Sequence, residues 1–225
     1  MKITWIGQAG LMMETEDTCI LVDPYLSDSC GKKNPKSARR IPVDEALLKV
    51  RPQILLITHD HLDHLDPETL EHYLSSEEKI LVLAGANAWE KLRAMGGNHN
   101  YVRMTPGCEW SVGSLRITAV SACHSDVTAV GFLIQEGNKQ YYVTGDTLYD
   151  QTIFAQIPRN VEAVFLPING VGNNMNAKDA TRFAQRIGAK YSVPLHFGLF
   201  DDLDPSSFEA KNRIIPKIYE EIILP

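Results

Sequence analysis

The chain has 225 residues, of which 44% are hydrophobic, and a formal net charge of -6. This length and apolar content predict a globular protein with a sizeable core, whereas the acidic balance argues against broad nucleic-acid binding. No stretch approaches the roughly 18 consecutive apolar residues of a transmembrane helix, and the opening residues MKITWIG do not resemble a signal peptide. Because the four cysteines include no CxxC pair, we expect a reducing, cytoplasmic location.

Apolar runs bounded by turn residues predict a β-meander at the N-terminus, with strands over residues 2–6, 10–14 and 18–23. A polar stretch from Ser27 to Arg40 follows, and residues 43–50 after Pro42 predict a short helix. The first half then continues with a buried strand at 53–58, a helix at 67–74 capped by Asp66, a strand at 80–85, a helix at 86–95 and a strand at 101–104.

The second half of the chain repeats this order of strands followed by a helix. Its predicted strands are residues 108–112, 114–122, 129–135, 139–144, 161–167 and 190–195. The helix at 177–187 has Asn176 as its predicted cap and Gly188 as its end. We therefore predict an α+β protein, an αββα sandwich of two packed mixed β-sheets with helices on both outer faces, forming a single domain over residues 1–225.

Histidine and aspartate side chains directly follow several of the predicted strands. The segment THDHLDHLD, residues 58–66, places three histidines and three aspartates after the apolar run ILLI. His124, Asp146 and His196 follow other apolar runs in the same way. Sheets of α/β proteins place ligand sites at the carboxyl ends of strands, because the loops diverge there while the strands hold them in position. We expect these residues to converge on one site.

The composition of this site indicates metal binding. In an extended segment His59, His61 and Asp63 share one side, and the turn that begins the next helix brings His64 round. Imidazole and carboxylate are ligands for Zn, Mn or Fe, and a catalytic site needs about three protein ligands per metal. Four donors from one segment, completed by three from later strand ends, fit two divalent metal ions. The predicted ligands are His59, His61, Asp63, His64, His124, Asp146 and His196. A histidine-rich surface loop is the alternative interpretation of residues 59–64.

These segments resemble the metallo-β-lactamase superfamily. THDHLDH is similar to its HxHxDH signature, and ACH, TGD and PLH are similar to its later ligand segments, in the same order. The segments TWIG and ILVDP, the latter with Asp23, extend the resemblance to the N-terminal region. The resemblance implies the metallo-β-lactamase fold, with one metal held by His59, His61 and His124, the other by Asp63, His64 and His196, and Asp146 bridging both.

Within that superfamily, THDHLDHLD, TGDTLYD and the region from NNMNAKD to PLHFGLF look most like the L-ascorbate 6-phosphate lactonase group, although this chain is shorter. The resemblance implies a hydrolase whose metal-bridging hydroxide cleaves a small anionic ester or lactone, with Asp63 and Asp146 as catalytic carboxylates. A phosphodiesterase or nuclease on the same metals is the alternative. A redox di-iron protein is a third class, disfavoured because the HxHxDH motif is intact.

The basic run GKKNPKSARR has two interpretations. It holds five cations and no acid, at Lys32, Lys33, Lys36, Arg39 and Arg40. A solvated flexible loop is one interpretation. The other is an anion-binding flap near the metals, in which Lys33, Arg39 and Arg40 contact the substrate.

Further candidates lie close to the ligand segments. Asn169 and Asn174 belong either to a plain turn or to a loop that contacts the substrate. Asp23 and Asp60 are candidates to accept the outer N–H of metal-bound imidazoles. The expected partner is a small anionic molecule, without a membrane or nucleic acid, and a homo-oligomer is left open.

Overall fold

The structure, a computed structural model, describes residues 1–159 and 161–225 and contains two six-stranded sheets. The strands are β1 Lys2–Gly7, β2 Gly10–Glu14, β3 Cys19–Val22, β4 Ile54–Ile57, β5 Leu81–Ala84, β6 Asn100–Arg103, β7 Glu109–Val112, β8 Leu115–Ser121, β9 Val130–Glu136, β10 Lys139–Val143, β11 Ala163–Pro167 and β12 Tyr191–Leu195. The α-helices are α1 Ser29–Lys33, α2 Pro67–Leu74, α3 Ala86–Met95 and α4 Ala177–Ile187.

Both sheets are mixed. The first has the order β1-β2-β3-β4-β5-β6 and is antiparallel through β3 and parallel from β3 onward. The second has the order β12-β11-β10-β9-β8-β7 and is parallel from β12 to β10 and antiparallel beyond. Because β8 and β10 are both antiparallel to β9, their carboxyl ends meet at the same edge of the second sheet.

Successive side chains of a strand point to opposite faces of the sheet, so one set packs in the core between the sheets and the other packs under the helices of the first sheet. On β4, Ile54 and Leu56 pack with second-sheet residues such as Phe132, whereas Leu55 and Ile57 pack with side chains of α2 and α3. Helix α4 packs on the second sheet, where the ring of Phe183 lies 6.5 Å from that of Tyr142. The predicted αββα sandwich is confirmed.

The three long helices have the predicted bounds, with one difference in capping. Asn176 Oδ1 accepts from the backbone N–H of Asp179 at 2.9 Å, and Gly188 ends α4 with φ +70. Asp66 precedes α2 but does not cap it through its side chain. Its carboxylate accepts instead from the hydroxyl of Thr69.

Two segments differ from the prediction. Residues 43–50 contain only a 3₁₀ turn, Leu47–Lys49, in place of the expected helix. The carbonyls of Leu47 and Leu48 accept from side chains of Tyr73 and His72 on α2, so tertiary hydrogen bonds replace helical ones. The polar stretch from Ser27 to Arg40 is ordered, with α1 followed by a 3₁₀ turn at Pro35–Ser37.

A C-terminal segment, defined here as residues 212–222, runs along the edge strands of both sheets. The N–H groups of Tyr219 and Ile222 donate to the carbonyls of Trp5 and Ile3 on β1, each at 2.7 Å. On the other sheet the N–H of Ile214 donates to the carbonyl of Ser192 on β12 at 2.9 Å. The segment therefore covers β1 and β12 together. Separately, none of the helices in the described ranges has the length and apolar character needed to cross a membrane.

Candidate metal centre

The seven predicted ligands meet at one edge of the sandwich, where β4, β8, β10 and β12 end. Their donor atoms form two groups, and within each group all donor atoms lie within 4.8 Å of one another. The groups are His59, His61, His124 and Asp146, and Asp63, His64 and His196. The structure thus brings together residues that are up to 137 positions apart in the chain, from His59 to His196.

The segment after β4 is not extended as the alternation argument assumed. Residues 61–64 form a turn in which the N–H groups of His64 and Leu65 both donate to the carbonyl of His61, at 3.0 and 2.7 Å. The turn sends His59 and His61 to one group of donors and Asp63 and His64 to the other. One short segment therefore contributes to both halves of the site.

Asp146 lies between the two groups. Its Oδ1 is 3.3 Å from His64 Nε2, and its Oδ2 is 3.4 Å from His196 Nε2 and 4.0 Å from His124 Nε2. The position of this buried carboxylate suits a ligand shared by two metal ions.

Asp23 and Thr58 orient two of the histidines. His64 Nδ1 lies 2.8 Å from Asp23 Oδ2, so this ring donates its outer N–H to the carboxylate and turns Nε2 toward the site. The Thr58 hydroxyl donates to the same carboxylate at 2.6 Å and lies 2.9 Å from His59 Nδ1, whose N–H it can accept. One carboxylate thereby sets the tautomers of both His64 and His59.

Three different groups orient the remaining histidines. His124 Nδ1 is 3.2 Å from the carbonyl of Asn173, and His61 Nε2 is 3.3 Å from Ser125 Oγ. His196 Nδ1 is 3.0 Å from the amide of Asn169. The Asn169 atom at this distance is the amide nitrogen Nδ2. Turning the amide by 180° brings Oδ1, which has no hydrogen-bond partner among the described residues, to the ring, where it accepts the Nδ1–H. In each case the other ring nitrogen faces the site.

The charges at the site depend on burial and on the close carboxylates. Burial lowers the pKa of His59 well below its ordinary value, and the nearby His64 lowers it further. For His196, burial also acts to lower the pKa, but the carboxylates of Asp146 and Asp63 outweigh it and raise the pKa to about 10. The pKa of His64 is raised well above its ordinary value for the same reason. Without metal, His64 and His196 therefore hold protons in the place where a cation would neutralise the carboxylates.

The two site carboxylates remain ionised. Burial acts to raise the pKa of Asp63 and of Asp146, but the neighbouring His64 and His196 outweigh it, so both pKa values are lowered. Divalent metals bind ionised carboxylates and imidazoles whose binding nitrogen is neutral or can release its proton, and this site offers both.

The donor atoms fit a metal centre. Within the described residues the buried His59 Nε2 has no hydrogen-bond partner, and the buried His64 Nε2 and Asp146 Oδ1 lie 3.3 Å apart without hydrogen-bond geometry, which costs free energy unless something binds them. His61 Nδ1 and His124 Nε2 face each other at 3.1 Å. Two nitrogens bound to one tetrahedral zinc ion lie about 3.3 Å apart, so this spacing suits shared coordination.

Backbone strain is concentrated around this site. Gln8, Asp23, Asn173 and His196 have positive φ angles of 51, 42, 64 and 62 degrees, in a region that non-glycine residues rarely occupy. All four contact the ligand cluster through side chain or carbonyl. Strain of this kind persists where surrounding contacts enforce it, and it is common at functional sites.

A cleft of about 370 Å³ opens in front of the cluster. Its lining includes His61, Asp63, Asp146 and His196 together with Lys36, which lies on the 3₁₀ turn at Pro35–Ser37. Asn169 and Asn174 also line it, and the buried Oδ1 of Asn174 has no hydrogen-bond partner among residues 1–159 and 161–225. The expected asparagines are therefore placed where a bound molecule would lie.

The expected contacts from Lys33, Arg39 and Arg40 are not at the cleft, and this is a correction. Arg39 donates to the carbonyls of Ile41 and Tyr25 at 3.2 and 2.7 Å and to the hydroxyl of Tyr219 at 2.6 Å. Arg40 forms an ion pair with Asp202, and Lys33 is exposed and outside the cleft lining. The two arginines fasten the basic run to the protein body, and Lys36 replaces them at the cleft.

Asp60 is also corrected. Its carboxylate pairs with Lys91 Nζ at 2.7 Å, and no hydrogen bond joins it to a histidine within the described ranges. Of the two carboxylates expected to hold imidazoles, only Asp23 does so.

Sequence reasoning missed Gln8 and Thr58. Gln8 is 2% exposed, and its Nε2 lies 2.9 Å from Asp63 Oδ2. Its position between two glycine-containing strand ends indicated only a turn. Thr58 directly precedes the first ligand, and its link to Asp23 requires β3 and β4 to be neighbours, which the sequence did not show.

Comparison with known proteins shows the family of this chain. Residues 18–197 match the family model described as the beta-lactamase superfamily domain. A UPF0173 metal-dependent hydrolase of Koribacter versatilis is 30% identical over 226 residues, covering 93% of this chain and 90% of that protein.

Solved structures show the same fold. Igni18, a metallo hydrolase from Ignicoccus hospitalis, superposes with a TM-score of 0.78 at 18% identity, covering 98% of this chain and 97% of that one. CmlA, a diiron beta-hydroxylase from Streptomyces venezuelae, gives a TM-score of 0.71 at 20% identity, covering 95% of this chain and 47% of that one. At such identities the likeness concerns the fold alone, which hosts more than one chemistry.

The chain therefore belongs to the beta-lactamase superfamily and, within it, to the UPF0173 family of metal-dependent hydrolases.

Proposed function

We propose that this chain is a hydrolase with a dinuclear metal centre. In this proposal His59, His61 and His124 hold one ion, Asp63, His64 and His196 hold the other, and Asp146 contacts both. The observation that carries it is the convergence of the seven donor residues, in which His59 Nε2, His64 Nε2 and Asp146 Oδ1 are buried and make no hydrogen bond within the described part of the chain. Zinc or manganese is the proposed metal, with iron as the third candidate, because imidazole and carboxylate ligands suit all three.

Two carboxylates have different parts in the proposed reaction. Bound divalent ions would polarise the substrate oxygen and lower the pKa of a water ligand from about 15.7 toward about 7. Asp63 faces the cleft, with 19% of its side chain exposed, against 6% for Asp146. Asp63 is therefore the better placed to exchange a proton with a molecule in the cleft, while Asp146 holds the two ions together.

The proposed substrate is a small anionic ester or lactone. The cleft volume lies within the range of about 300–1,000 Å³ that is common for small-molecule sites. Apart from histidine, Lys36 is the one cationic side chain among the described residues that line it. A carboxylate or phosphate remote from the reacting bond would bind Lys36 and gain affinity without changing the chemistry at the metals.

Metal stoichiometry tests the proposed centre. We expect elemental analysis of reconstituted protein to approach two ions per chain, and about one in His61→Ala or His196→Ala, each of which removes a ligand of one ion. Asp146→Ala should fall below one and lose nearly all kcat. A wild-type stoichiometry that stays near zero, or Asp146→Ala protein with two ions and normal kcat, would contradict the proposal.

A hydrolysis screen tests the proposed substrate class. Sugar lactones and small carboxylic esters, each with and without a phosphate group, are compared with phosphodiesters on the metal-loaded protein. We expect the phosphorylated lactones and esters to have the highest kcat/KM. Faster turnover of phosphodiesters would favour the phosphodiesterase alternative, which we rank second because Arg39 and Arg40 are engaged with Tyr219 and Asp202 and form no free basic track.

A further inference from the structure

Gln8 is placed unusually for a turn residue. It connects β1 and β2, is 2% exposed and has φ 51. Its carbonyl accepts from Trp5 Nε1 at 2.9 Å and from the backbone N–H of His196 at 3.0 Å. These two bonds enforce a backbone conformation that costs free energy for glutamine. The enforced conformation directs the side chain into the metal centre.

The orientation of the Gln8 amide follows from its neighbour. Its Nε2 lies 2.9 Å from Asp63 Oδ2 and donates to it. A carboxylate that binds a metal ion only accepts hydrogen bonds, so the amide nitrogen and not its oxygen faces Asp63. One of the two N–H bonds of Gln8 is thereby used.

The second N–H of Gln8 has only the ring of His196 within reach among the described residues. Gln8 Nε2 is 3.1 Å from His196 Nδ1 and 3.2 Å from His196 Nε2, so it is equally close to both ring nitrogens. His196 Nδ1 is also 3.0 Å from the amide of Asn169, to which it donates, and in the proposed centre His196 Nε2 binds a metal ion. In the metal-loaded centre neither ring nitrogen therefore has a free lone pair, and the second N–H of Gln8 is available to another acceptor.

Gln8 also lines the cleft, beside Asp63, Asp146 and His196. A donor fixed at this position requires no rearrangement when a substrate binds, and such donors stabilise negative charge that develops on an oxygen. Since an amide does not titrate, its contribution would not depend on pH.

We propose that Gln8 contacts the substrate, and that its second N–H donates to the oxygen that carries negative charge during hydrolysis over the metals. This inference rests on the proposed hydrolase function. The same N–H would also donate to an oxygen of inorganic phosphate, a tetrahedral anion that serves as a probe when the substrate is unidentified.

The test compares Gln8→Asn and Gln8→Leu with the wild type. Asparagine tolerates the left-handed conformation but is one methylene shorter, and leucine has nearly the shape of glutamine without donors. Gln185→Leu, on the exposed face of α4, is the matched control. On the metal-loaded proteins we measure metal content by elemental analysis, phosphate affinity by calorimetry, and the thermal midpoint.

We expect metal content to be unchanged in all three variants and the phosphate Kd to rise about ten-fold or more in both Gln8 variants only. For any ester that the wild type hydrolyses, kcat should fall while KM stays within about a few-fold. Unchanged phosphate affinity, loss of metal in parallel with phosphate affinity, or a metal-loaded wild type that binds no phosphate would each overturn the inference. Failure of the wild type to take up metal would instead overturn the proposed function.

Discussion

At the scale of single residues, each imidazole of the metal centre is held through its outer nitrogen by a different group. Thr58, Ser125, Asp23, the Asn173 carbonyl and Asn169 hold His59, His61, His64, His124 and His196, respectively. Such partners fix the tautomer and the ring orientation before a metal arrives, so less ordering entropy opposes binding. Asp23 is the most consequential of them, because it serves two histidines.

Replacing Asp23 should weaken metal binding although Asp23 is not a proposed ligand. We expect Asp23→Asn to lower metal affinity by about 10- to 100-fold, because His64 loses its acceptor and Thr58 no longer fixes His59. Competition with a chromogenic chelator measures the effect. Asp60→Asn is the control, since Asp60 pairs with Lys91 and not with a histidine. Equal affinities for the two variants would show that Asp23 does not orient the ligands.

The raised pKa of His196 predicts how the metal-free protein responds to pH. Burial lowers this pKa, but Asp146 and Asp63 raise it to about 10, against about 6.5 for an unfolded histidine. A raised folded-state pKa gives stability that is fully present below about pH 6.5 and is lost as the pH rises through about 10. In chelator, the thermal midpoint should fall across this range.

The thermal midpoint measured against pH, for two histidine variants and for metal-loaded protein, identifies the group that causes the fall. His196→Gln should reduce the fall in thermal midpoint, the remainder coming from His64, whose pKa is also raised, whereas His72→Gln, on the surface of α2, should leave the fall unchanged. Metal-loaded protein should not show the fall, because the ion replaces the proton on His196. A flat profile for the metal-free wild type would contradict the assigned charges.

At the scale of elements, the basic segment (residues 28–41) forms one wall of the cleft. Arg39 fastens it from within, through two backbone carbonyls and Tyr219, and lies over the ring of Tyr25. Arg40 and Lys32 pair with Asp202 and Glu68 on its outside. The charges of the segment thus have three positions: Lys32, Arg39 and Arg40 anchor it, Lys33 is exposed outside the cleft, and Lys36 is the one lysine among the described residues that line the cleft.

This division predicts different effects for two substitutions in the same segment. Lys36→Ala should raise KM for an anionic substrate, leave its kcat within about a few-fold and leave the thermal midpoint unchanged. Arg39→Ala should lower the free energy of unfolding by about 1–3 kcal/mol, because it leaves two partly buried carbonyls without a donor. Steady-state kinetics at low ionic strength and thermal denaturation measure the two effects.

Lys33→Ala is the control for Lys36→Ala, since it removes the same charge outside the cleft. A neutral analogue of the substrate should not distinguish Lys36→Ala from the wild type. If Lys33→Ala and Lys36→Ala raised KM equally, the segment would act only through its total charge.

The sequence predicts the features that depend on residues close together in the chain, and it misses those that depend on contacts between distant residues. The strands that lead to His59, Asp146 and His196 are local apolar runs, and their ends meet at one edge through strand direction within each sheet and the packing of the two sheets on each other. The position of Arg39 depends instead on Tyr219, which is 180 residues away, and no local pattern reports that contact. Gln8 was missed for the same reason, since its partners Asp63 and His196 are 55 and 188 residues away.

At the scale of the whole molecule, the metal centre joins the two sheets. His59, His61, Asp63 and His64 follow β4 of the first sheet, and His124, Asp146 and His196 follow strands of the second. Metal binding should therefore stabilise the sandwich as a unit and not only its loops.

Metal removal tests this linkage between the sheets. At a free metal concentration 1,000 times Kd, a ligand that binds only the folded state adds about 4 kcal/mol of stability. We expect chelation to lower the thermal midpoint in one cooperative transition, followed by circular dichroism. If chelation altered only the loops and left the thermal midpoint of the β-sheet circular dichroism unchanged, metal binding would not stabilise the packing of the two sheets.

The C-terminal segment has a consequence for association between molecules. An uncovered edge strand presents unpaired N–H and C=O groups that can pair with a strand of another chain. Residues 212–222 occupy those groups on β1 and β12 at once. We expect a chain shortened after Lys211, or carrying Ile222→Pro, to form sedimenting aggregates at concentrations where the intact chain stays dispersed, as measured by light scattering. The segment would then protect this molecule from polymerising through its own sheets.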